Sequence, residues 1–187
     1  MVSLVIDGSN TFLDLSIFNK KELLYCSFLK GGRTFSEILI KLIDNALYYT
    51  NNTLEDIESI YCVAGPGRHT SLRVVISTLK GLFFSKKVKA YKLNAMDLTA
   101  AAFGGPKFRV VSETFSSYAY FCDYTYDSKK LKRLNYSIER VKEEEIYKTN
   151  LPIVKTNDER LTPKTKHIFT IEDYAEKVDL INLNPIY

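Results

Sequence analysis

The sequence predicts a protein of the α/β class, in which strands and helices alternate along the chain. Segments with the apolar pattern of strands alternate with segments of helical periodicity in the order βββαβαβα over the first half. The chain has 187 residues, of which 45% are apolar and 26% charged, proportions typical of a folded globular protein. A chain of this length buries roughly 70% of the surface of its unfolded form, so we expect a substantial core.

The first three elements are predicted to be strands. The segment VSLVID is an apolar run that ends in a polar turn of Asp7, Gly8 and Ser9. Strand patterns follow over residues 13–18 and 22–28, and the polar residues NKK between them indicate a hairpin.

The next elements are two amphipathic helices separated by a strand. The first helix is predicted over residues 35–50, where Thr34 and Glu37 have the spacing of a capping box. The strand SIYCVA follows and leads into the segment GPGRHTSLRV. A second helix is predicted over residues 71–85, with Thr70 or Ser71 as its cap.

A glycine-rich break divides the chain. The strand VKAYKLN and a helix capped by Asn94 precede FGGP at residues 103–106, which predicts two lobes, residues 1–103 and 104–187. The second lobe has strand patterns at KFRVVSE, YAYFCDYTY and KRLNYSIE, the apolar segment LPIV, and helical patterns at VKEEEIYK and IEDYAEKV.

Composition excludes several classes of protein. No run of 18 apolar residues and no signal peptide is visible, so we expect a cytoplasmic protein without a membrane span. Cys26, Cys62 and Cys122 are expected to be reduced core thiols. The two histidines, His69 and His167, stand far apart, so no metal site is expected. The net charge of +4 comes with no aromatic–basic motif, which disfavours a nucleic-acid-binding module.

The segment AGPGRHTSLRV has two interpretations. A strand, a glycine-rich turn and a helix can together hold an anion, with Arg68 and Arg73 nearby. However, no Gly-Lys-Ser/Thr follows at the spacing of a P-loop, so the residues alone favour a tight structural turn. The polar turn after the first strand would face the same cleft. The candidate residues of such a phosphate site, vestigial or not, are Asp7, Ser9, Gly65, Gly67, Arg68, Thr70 and Arg73.

Five segments resemble the TsaB (YeaZ) family of bacterial proteins, which take part in making threonylcarbamoyladenosine in tRNA. They are LVIDGSN, RTFSEIL, GPGRHTSLRVVISTLKGL, LNAMDLTAAA and the terminal NPIY. The resemblance is strong over residues 1–102. It departs from the family at Arg68, where a serine is usual, and at Phe35, where a histidine is usual.

The resemblance implies an actin-like ATPase (ASKHA, ribonuclease-H-like) fold in two lobes, the second reduced. It also implies a non-catalytic subunit that pairs with the related catalytic protein TsaD, with an ATPase called TsaE joining the assembly. The chain itself is then expected to need no cofactor, whereas the complex uses ATP and magnesium and reaches tRNA. The family pairs through its first two long helices, which leaves open a homodimer through the same helices.

The residues of these two helices independently suggest a partner surface. Apolar residues lie off the core face of the first helix, and small residues form a strip on the second, where another helix can approach closely. The other interpretation is that the second lobe or a helix of the same chain covers both surfaces. The predicted interface residues are Ile40, Asp44, Leu47, Tyr48, Val74, Thr78, Gly81 and Ser85.

An actin-like-fold small-molecule kinase or ATPase is the alternative function. Asp7 would hold magnesium through water, and the turn from Gly65 to Thr70 would hold phosphate. Against this alternative, the short second lobe leaves little room for an adenosine pocket.

Overall fold

The computed structural model describes residues 1–30, 35–113, 118–127, 130–136 and 141–186. In the first half, strands and helices follow one another in the predicted order. They are β1 (Val2–Asp7), β2 (Phe12–Asn19), β3 (Glu22–Lys30), α1 (Phe35–Tyr49), β4 (Ile57–Gly65), α2 (His69–Leu82), β5 (Lys89–Asn94) and α3 (Ala95–Phe103). A single 3₁₀ turn, Leu54–Asp56, precedes β4.

The second half is mostly strands and short 3₁₀ helices. Its strands and its α-helix are β6 (Lys107–Glu113), β7 (Tyr118–Asp127), β8 (Lys130–Tyr136), β9 (Val141–Lys142), α4 (Glu143–Ile146), β10 (Ile153–Lys155) and β11 (Glu176–Val178). The 3₁₀ helices are Glu159–Leu161, Thr165–Thr170, Glu172–Tyr174 and Leu180–Asn182. Within the described ranges, no helix combines the length and the hydropathy that a transmembrane segment needs.

A six-stranded sheet in the order β11-β5-β4-β1-β2-β3 forms the centre of the molecule. Strands β1, β4 and β5 are parallel to one another. Strand β2 pairs antiparallel with β1, β3 pairs antiparallel with β2, and β11 pairs antiparallel with β5. A second sheet has the order β10-β6-β7-β8, with β9 paired to β7. The molecule is therefore a mixed α/β protein with two sheets, as predicted.

Both faces of the central sheet are buried at its middle strands, β1 and β4. Side chains alternate along each strand, so Leu4 and Ile6 point to the core under α1 and α2, whereas Val5 points to the core shared with α3 and the second sheet. This division explains the near-continuous burial of β1, since a strand covered on both faces has no exposed positions to fill with polar residues.

The chain returns to the first lobe after completing the second. Strand β11 pairs antiparallel with β5 at the edge of the central sheet. Further along, Leu183 is fully buried in the core under α1 and α2, and the Ile186 N–H donates to the Ala64 carbonyl at 2.7 Å. The last residues therefore tie the two halves together.

Two local predictions are wrong. The segment IEDYAEKV was expected to be helical, but it forms one 3₁₀ turn and then β11, because the open edge of β5 offers backbone hydrogen-bond partners. Helix α2 begins at His69, with Arg68 as the N-cap residue and no side-chain cap, so neither Thr70 nor Ser71 caps it. The cap of α3 is confirmed, since Asn94 Oδ1 accepts from the Met96 N–H at 2.8 Å. Thr34 lies outside the described residues.

Candidate functional site

The two polar turns named in the sequence meet at one end of the central sheet. Strands β1 and β4 are neighbours and parallel, so the turns that follow them leave the same edge. They are in direct contact, because the Arg68 N–H donates to the Ser9 carbonyl at 2.7 Å. The structure thus brings together the residues after β1 and the residues after β4.

The glycines of the second turn are needed for close packing. A Cβ atom on Gly67 would lie 2.3 Å from the Ser9 carbonyl oxygen. Gly65 has a φ of +126°, and its Cβ would lie 2.7 Å from the Ile186 carbonyl oxygen. Protein backbone therefore occupies the space that glycine leaves free at both positions, whereas in a phosphate loop the anion occupies such space.

The predicted phosphate residues do not share one environment. Asp7, Ser9 and Gly65 are buried, whereas Arg68, Thr70 and Arg73 are exposed, just before α2 and in its first two turns. Phe35 stands where the family usually has a histidine. Its ring packs on the turn after β1, with its Cζ 3.1 Å from the position that a Cβ on Gly8 would take. An apolar ring therefore covers this side of the Asp7 turn.

A buried lysine lies against Asp7 from the opposite side. Lys164 Nζ is 3.4 Å from Asp7 Oδ2, and both side chains are 2% exposed. The ammonium also donates to the Thr156 carbonyl at 2.8 Å, and the other Asp7 oxygen accepts from the Ser9 N–H at 2.8 Å. The chain thus supplies from its own second half the positive charge that balances Asp7.

Asp14 on β2 binds the same segment of the second half. Its carboxylate accepts from the backbone N–H of Lys164, and from the backbone N–H and the hydroxyl of Thr165. The Thr165 hydroxyl also lies 2.6 Å from that of Ser16. Burial raises the pKa of Asp14 from 3.8 to about 6, since desolvation outweighs these hydrogen bonds, and the nearby charge of Asp7 raises the pKa further.

Little space remains between these groups. The cleft lined by Asp7, Asn10, Asp14, Thr156 and Lys164 contains a cavity of about 10 Å³, near the smallest volume that holds one water molecule. Across the described ranges, no three His, Cys, Asp or Glu side chains lie close enough together to hold a metal ion. In this arrangement Lys164 pairs with Asp7, and Asp14 binds the backbone beside Lys164, so the two carboxylates join the first half of the chain to the second.

The sequence did not indicate Asp14, Thr156, Lys164 or Thr165 as site residues. Asp14 had one available signal, a carboxylate in the middle of the apolar strand FLDLSIF, where a polar residue needs a buried partner. Its partners in the second half are separated from it by 150 residues or more. No local pattern reports such a contact.

The predicted interface residues of α1 and α2 lie mostly on the surface. Ile40, Asp44, Tyr48, Gly81 and Ser85 are exposed, and Val74 and Thr78 are half-buried. A Cβ on Gly81 would meet no atom within 4 Å.

Leu47 was predicted to be exposed on this surface, and this prediction is wrong. Leu47 is 7% exposed and belongs to the core, because α1 packs against both the sheet and α2, and its buried face is wider than one apolar stripe. The sequence also missed Tyr49 and Phe84, two exposed aromatic residues at the C-terminal ends of the same helices.

Comparison with known proteins agrees with this architecture. The structure matches YeaZ from Pseudomonas aeruginosa with a TM-score of 0.81 and 15% identity, over 100% of this chain and 99% of that chain. A second structure, described as an uncharacterized protein from Pseudomonas aeruginosa with similarity to peptidase YeaZ, matches with a TM-score of 0.79 and 14% identity, over 100% and 98%. No curated protein sequence matches the chain.

These matches and the two-sheet architecture identify a mixed α/β protein with the actin-like ATPase type of fold that YeaZ has, as the sequence predicted. A sequence model of the family described as "TsaD: tRNA N6-adenosine threonylcarbamoyltransferase" matches residues 30–150, more than half of the chain. The chain belongs to this tRNA-modification family.

Proposed function

We propose that the chain is a non-catalytic subunit of a complex that forms threonylcarbamoyladenosine in tRNA, where it pairs with a TsaD-like catalytic subunit and supports it. The observation that carries this proposal is the buried Lys164 ammonium against Asp7. In the alternative kinase, Asp7 would orient the water shell of a magnesium ion. Here the chain's own cation pairs with Asp7, and the cavity beside it is about the size of one water.

The packing of the glycine-rich turn supports the same conclusion. Ser9 fills the space beside Gly67, and the C-terminal residues fill the space beside Gly65. Backbone atoms of other segments therefore pack directly against both glycines. The turn therefore serves to join β4, α2 and the C-terminal segment.

The partner surface is proposed to be the exposed side of α1 and α2. Ile40 and Tyr48 expose apolar area on α1, and Gly81 leaves open space on α2 that a helix of a partner can fill. The full-length likeness to YeaZ is consistent with this role. A TsaE-like ATPase, ATP, magnesium and tRNA belong in this proposal to the assembled complex, which acts in the cytoplasm.

Reconstitution tests the proposal. We expect tRNA modification when this chain and the TsaD-like subunit of the same cell are combined with a TsaE-like ATPase, ATP and magnesium. Omission of either the chain or the TsaD-like subunit should abolish product, since one carries the chemistry and the other supports it. Full activity without this chain would contradict the proposal.

A second measurement addresses the kinase alternative. The isolated chain should not hydrolyse ATP, and Arg68→Ser, which restores the residue usual in the family, should leave the activity of the complex nearly unchanged because Arg68 is exposed. ATP turnover by the isolated chain that is lost in Asp7→Asn would favour the kinase instead.

A further inference from the structure

Residues 164–174, the bridging segment, connect the two sheets. At the end of this segment, the Tyr174 hydroxyl donates to the Leu131 carbonyl at 2.9 Å. The Arg133 guanidinium lies over the Tyr174 ring, with its Cζ 4.4 Å from the ring centroid. Leu131 and Arg133 belong to β8, so the C-terminal end of the bridging segment is fixed to the second sheet.

The middle of the bridging segment packs on the central sheet. The Phe169 ring meets the Phe18 ring of β2 edge-on, with the centroids 5.0 Å apart. Lys21, in the turn between β2 and β3, has its Nζ 3.0 Å from Glu172 Oε2 and 5.3 Å from the Phe169 centroid. Together with the hydrogen bonds that Asp14 accepts from the first residues of the segment, these contacts hold it against β2.

A single buried positive charge lies where the bridging segment begins. The Lys164 ammonium contacts one oxygen on each side of the cleft, Asp7 Oδ2 at 3.4 Å and the Thr156 carbonyl at 2.8 Å. Asp7 ends β1 of the central sheet. Thr156 is held to β6 of the second sheet, since its N–H donates to the Val111 carbonyl at 2.9 Å. The ammonium therefore connects the two walls of the cleft.

Contacts of this kind are those by which a bound cation closes a cleft. A ligand shifts an equilibrium between open and closed states by the difference between its affinities for the two, and a cation that contacts both walls binds the closed state. Lys164 makes these contacts while attached to the chain, so its effective concentration is high and does not depend on the solution. The remaining cavity of about 10 Å³ is near the volume of one water, so the residues present do not also fit a hydrated divalent ion.

We propose that Lys164 is an internal cation that keeps the cleft between the lobes closed without any ligand. The lobes then have one dominant arrangement, which neither a divalent cation nor a nucleotide has to induce. This proposal goes beyond the proposed function. It concerns the isolated chain and involves neither the TsaD-like subunit nor tRNA, so each proposal can fail without the other.

Hydrogen exchange of the isolated full chain, followed by NMR, tests the closure. The backbone N–H groups of Lys164 and Thr165 donate to Asp14 in the cleft, so they exchange when the bridging segment leaves it. In Lys164→Met, which keeps an unbranched side chain without its charge, the protection of these two groups should fall at least roughly tenfold. Protection in β1 and β4 should fall less, because the substitution opens the cleft and not the sheet. Magnesium chloride and ATP should leave the protection of the parent unchanged.

Two further variants separate the bridging role from simple neutralisation of Asp7. Lys130→Met removes an exposed ion pair with Asp173, 2.6 Å long, near the other end of the bridging segment. This control should leave the protection unchanged, since exposed pairs contribute little. The double variant Asp7→Asn with Lys164→Met leaves no buried charge unpaired, and its protection should still lie at least roughly threefold below that of the parent. The double variant also serves where Lys164→Met alone does not fold.

Chemical rescue tests the charge itself. Lys164→Ala removes the atoms of one n-propylammonium ion, and n-propylammonium chloride should therefore restore protection of the Thr165 N–H as its concentration rises. n-Propanol has nearly the same shape without the charge and should restore little. Neither compound should change the parent, whose own lysine fills the site.

Three results would overturn the proposal. One is parent-level protection of the Thr165 N–H in Lys164→Met or in the double variant, since Lys164 would then do no more than balance Asp7. Another is a rescue by n-propylammonium that does not exceed the rescue by n-propanol. The third is a rise in the protection of the parent with magnesium and ATP, because closure would then depend on a ligand.

Discussion

Asp14 and Lys164 determine, at the scale of single residues, what the cleft between the lobes contains. The lysine balances Asp7, and Asp14 binds the backbone around the lysine. A buried charge is costly unless it is paired or hydrogen-bonded, and each of these charged groups has such partners. The stability of these contacts should therefore depend on the charge of Asp14.

Asp14→Asn should change how stability depends on pH. The folded-state pKa of about 6 exceeds the ordinary value of 3.8, so protonation of Asp14 favours the folded state. This contribution is fully present below pH 3.8 and is lost as pH rises through about 6. At pH 7, ionised Asp14 lowers the free energy of unfolding by on the order of 3 kcal/mol, at about 1.4 kcal/mol for each pKa unit.

Urea unfolding between pH 4 and pH 7 checks this expectation. The asparagine stays neutral and can still accept from the two N–H groups, so the variant should gain stability over the parent as pH rises. Asp44→Asn, at an exposed carboxylate of α1, is the matched control and should show no such trend. Parallel pH curves for the parent and Asp14→Asn would contradict the expectation.

At this scale the sequence predicted the polar turns but not what fills them. Asp7, Ser9 and the glycines were found because a strand end and a glycine-rich turn are local patterns. The role of Gly67 depends on Ser9, and that of Asp7 on Lys164. Distant parts of the chain decide both, and local patterns do not contain that information.

Helices α1 and α2 carry the predictions at the scale of elements. Their bounds were predicted closely, since a long amphipathic pattern is a strong local signal. The width of the buried face of α1 was not predicted, since Leu47 was placed off the core face and is buried. The segment before β11 was also missed, because a short polar segment takes the conformation that a neighbouring sheet edge offers.

Gly81→Leu should separate the stability of the chain from its binding. A leucine side chain has open space at this position, and replacing a helical glycine relieves up to about 1 kcal/mol of backbone entropy. The variant should therefore melt no lower than the parent. At a close helix–helix contact, overpacking costs about 1–3 kcal/mol, so binding to the TsaD-like subunit should weaken by roughly 5- to 150-fold.

Melting curves and titration calorimetry measure the two effects. Lys107→Leu, at an exposed position of β6, is the control for an added leucine away from the helices and should bind like the parent. Unchanged binding by Gly81→Leu would remove this part of α2 from the interface.

At the scale of the whole molecule, the C-terminal residues make the two lobes depend on each other. Strand β11 completes the central sheet, and Leu183 completes the core under α1 and α2. The predicted lobes, residues 1–103 and 104–187, are therefore consecutive in the chain, but residues of the second range complete the sheet and the core of the first. We expect the two lobes to unfold in one transition.

Leu183→Ala should destabilise the whole chain by about 2–5 kcal/mol, the usual range for a fully buried leucine. Ile181→Ala is the control two residues away, since Ile181 is exposed and should lose less than about 0.5 kcal/mol. Calorimetry and circular dichroism should report one coincident transition for both variants. Two separate transitions in Leu183→Ala, with only one shifted, would mean that the lobes unfold independently.

The burial of Lys164 also makes this side chain a reporter of cleft opening. Amine-reactive reagents modify lysines that reach solvent, such as the exposed Lys41 and Lys87, but the Lys164 amine becomes accessible only when Asp7 and Thr156 release it. Mass spectrometry of the briefly acetylated protein should find Lys164 unmodified while the exposed lysines react. The rate at which Lys164 is acetylated on longer exposure then measures how often the two lobes separate.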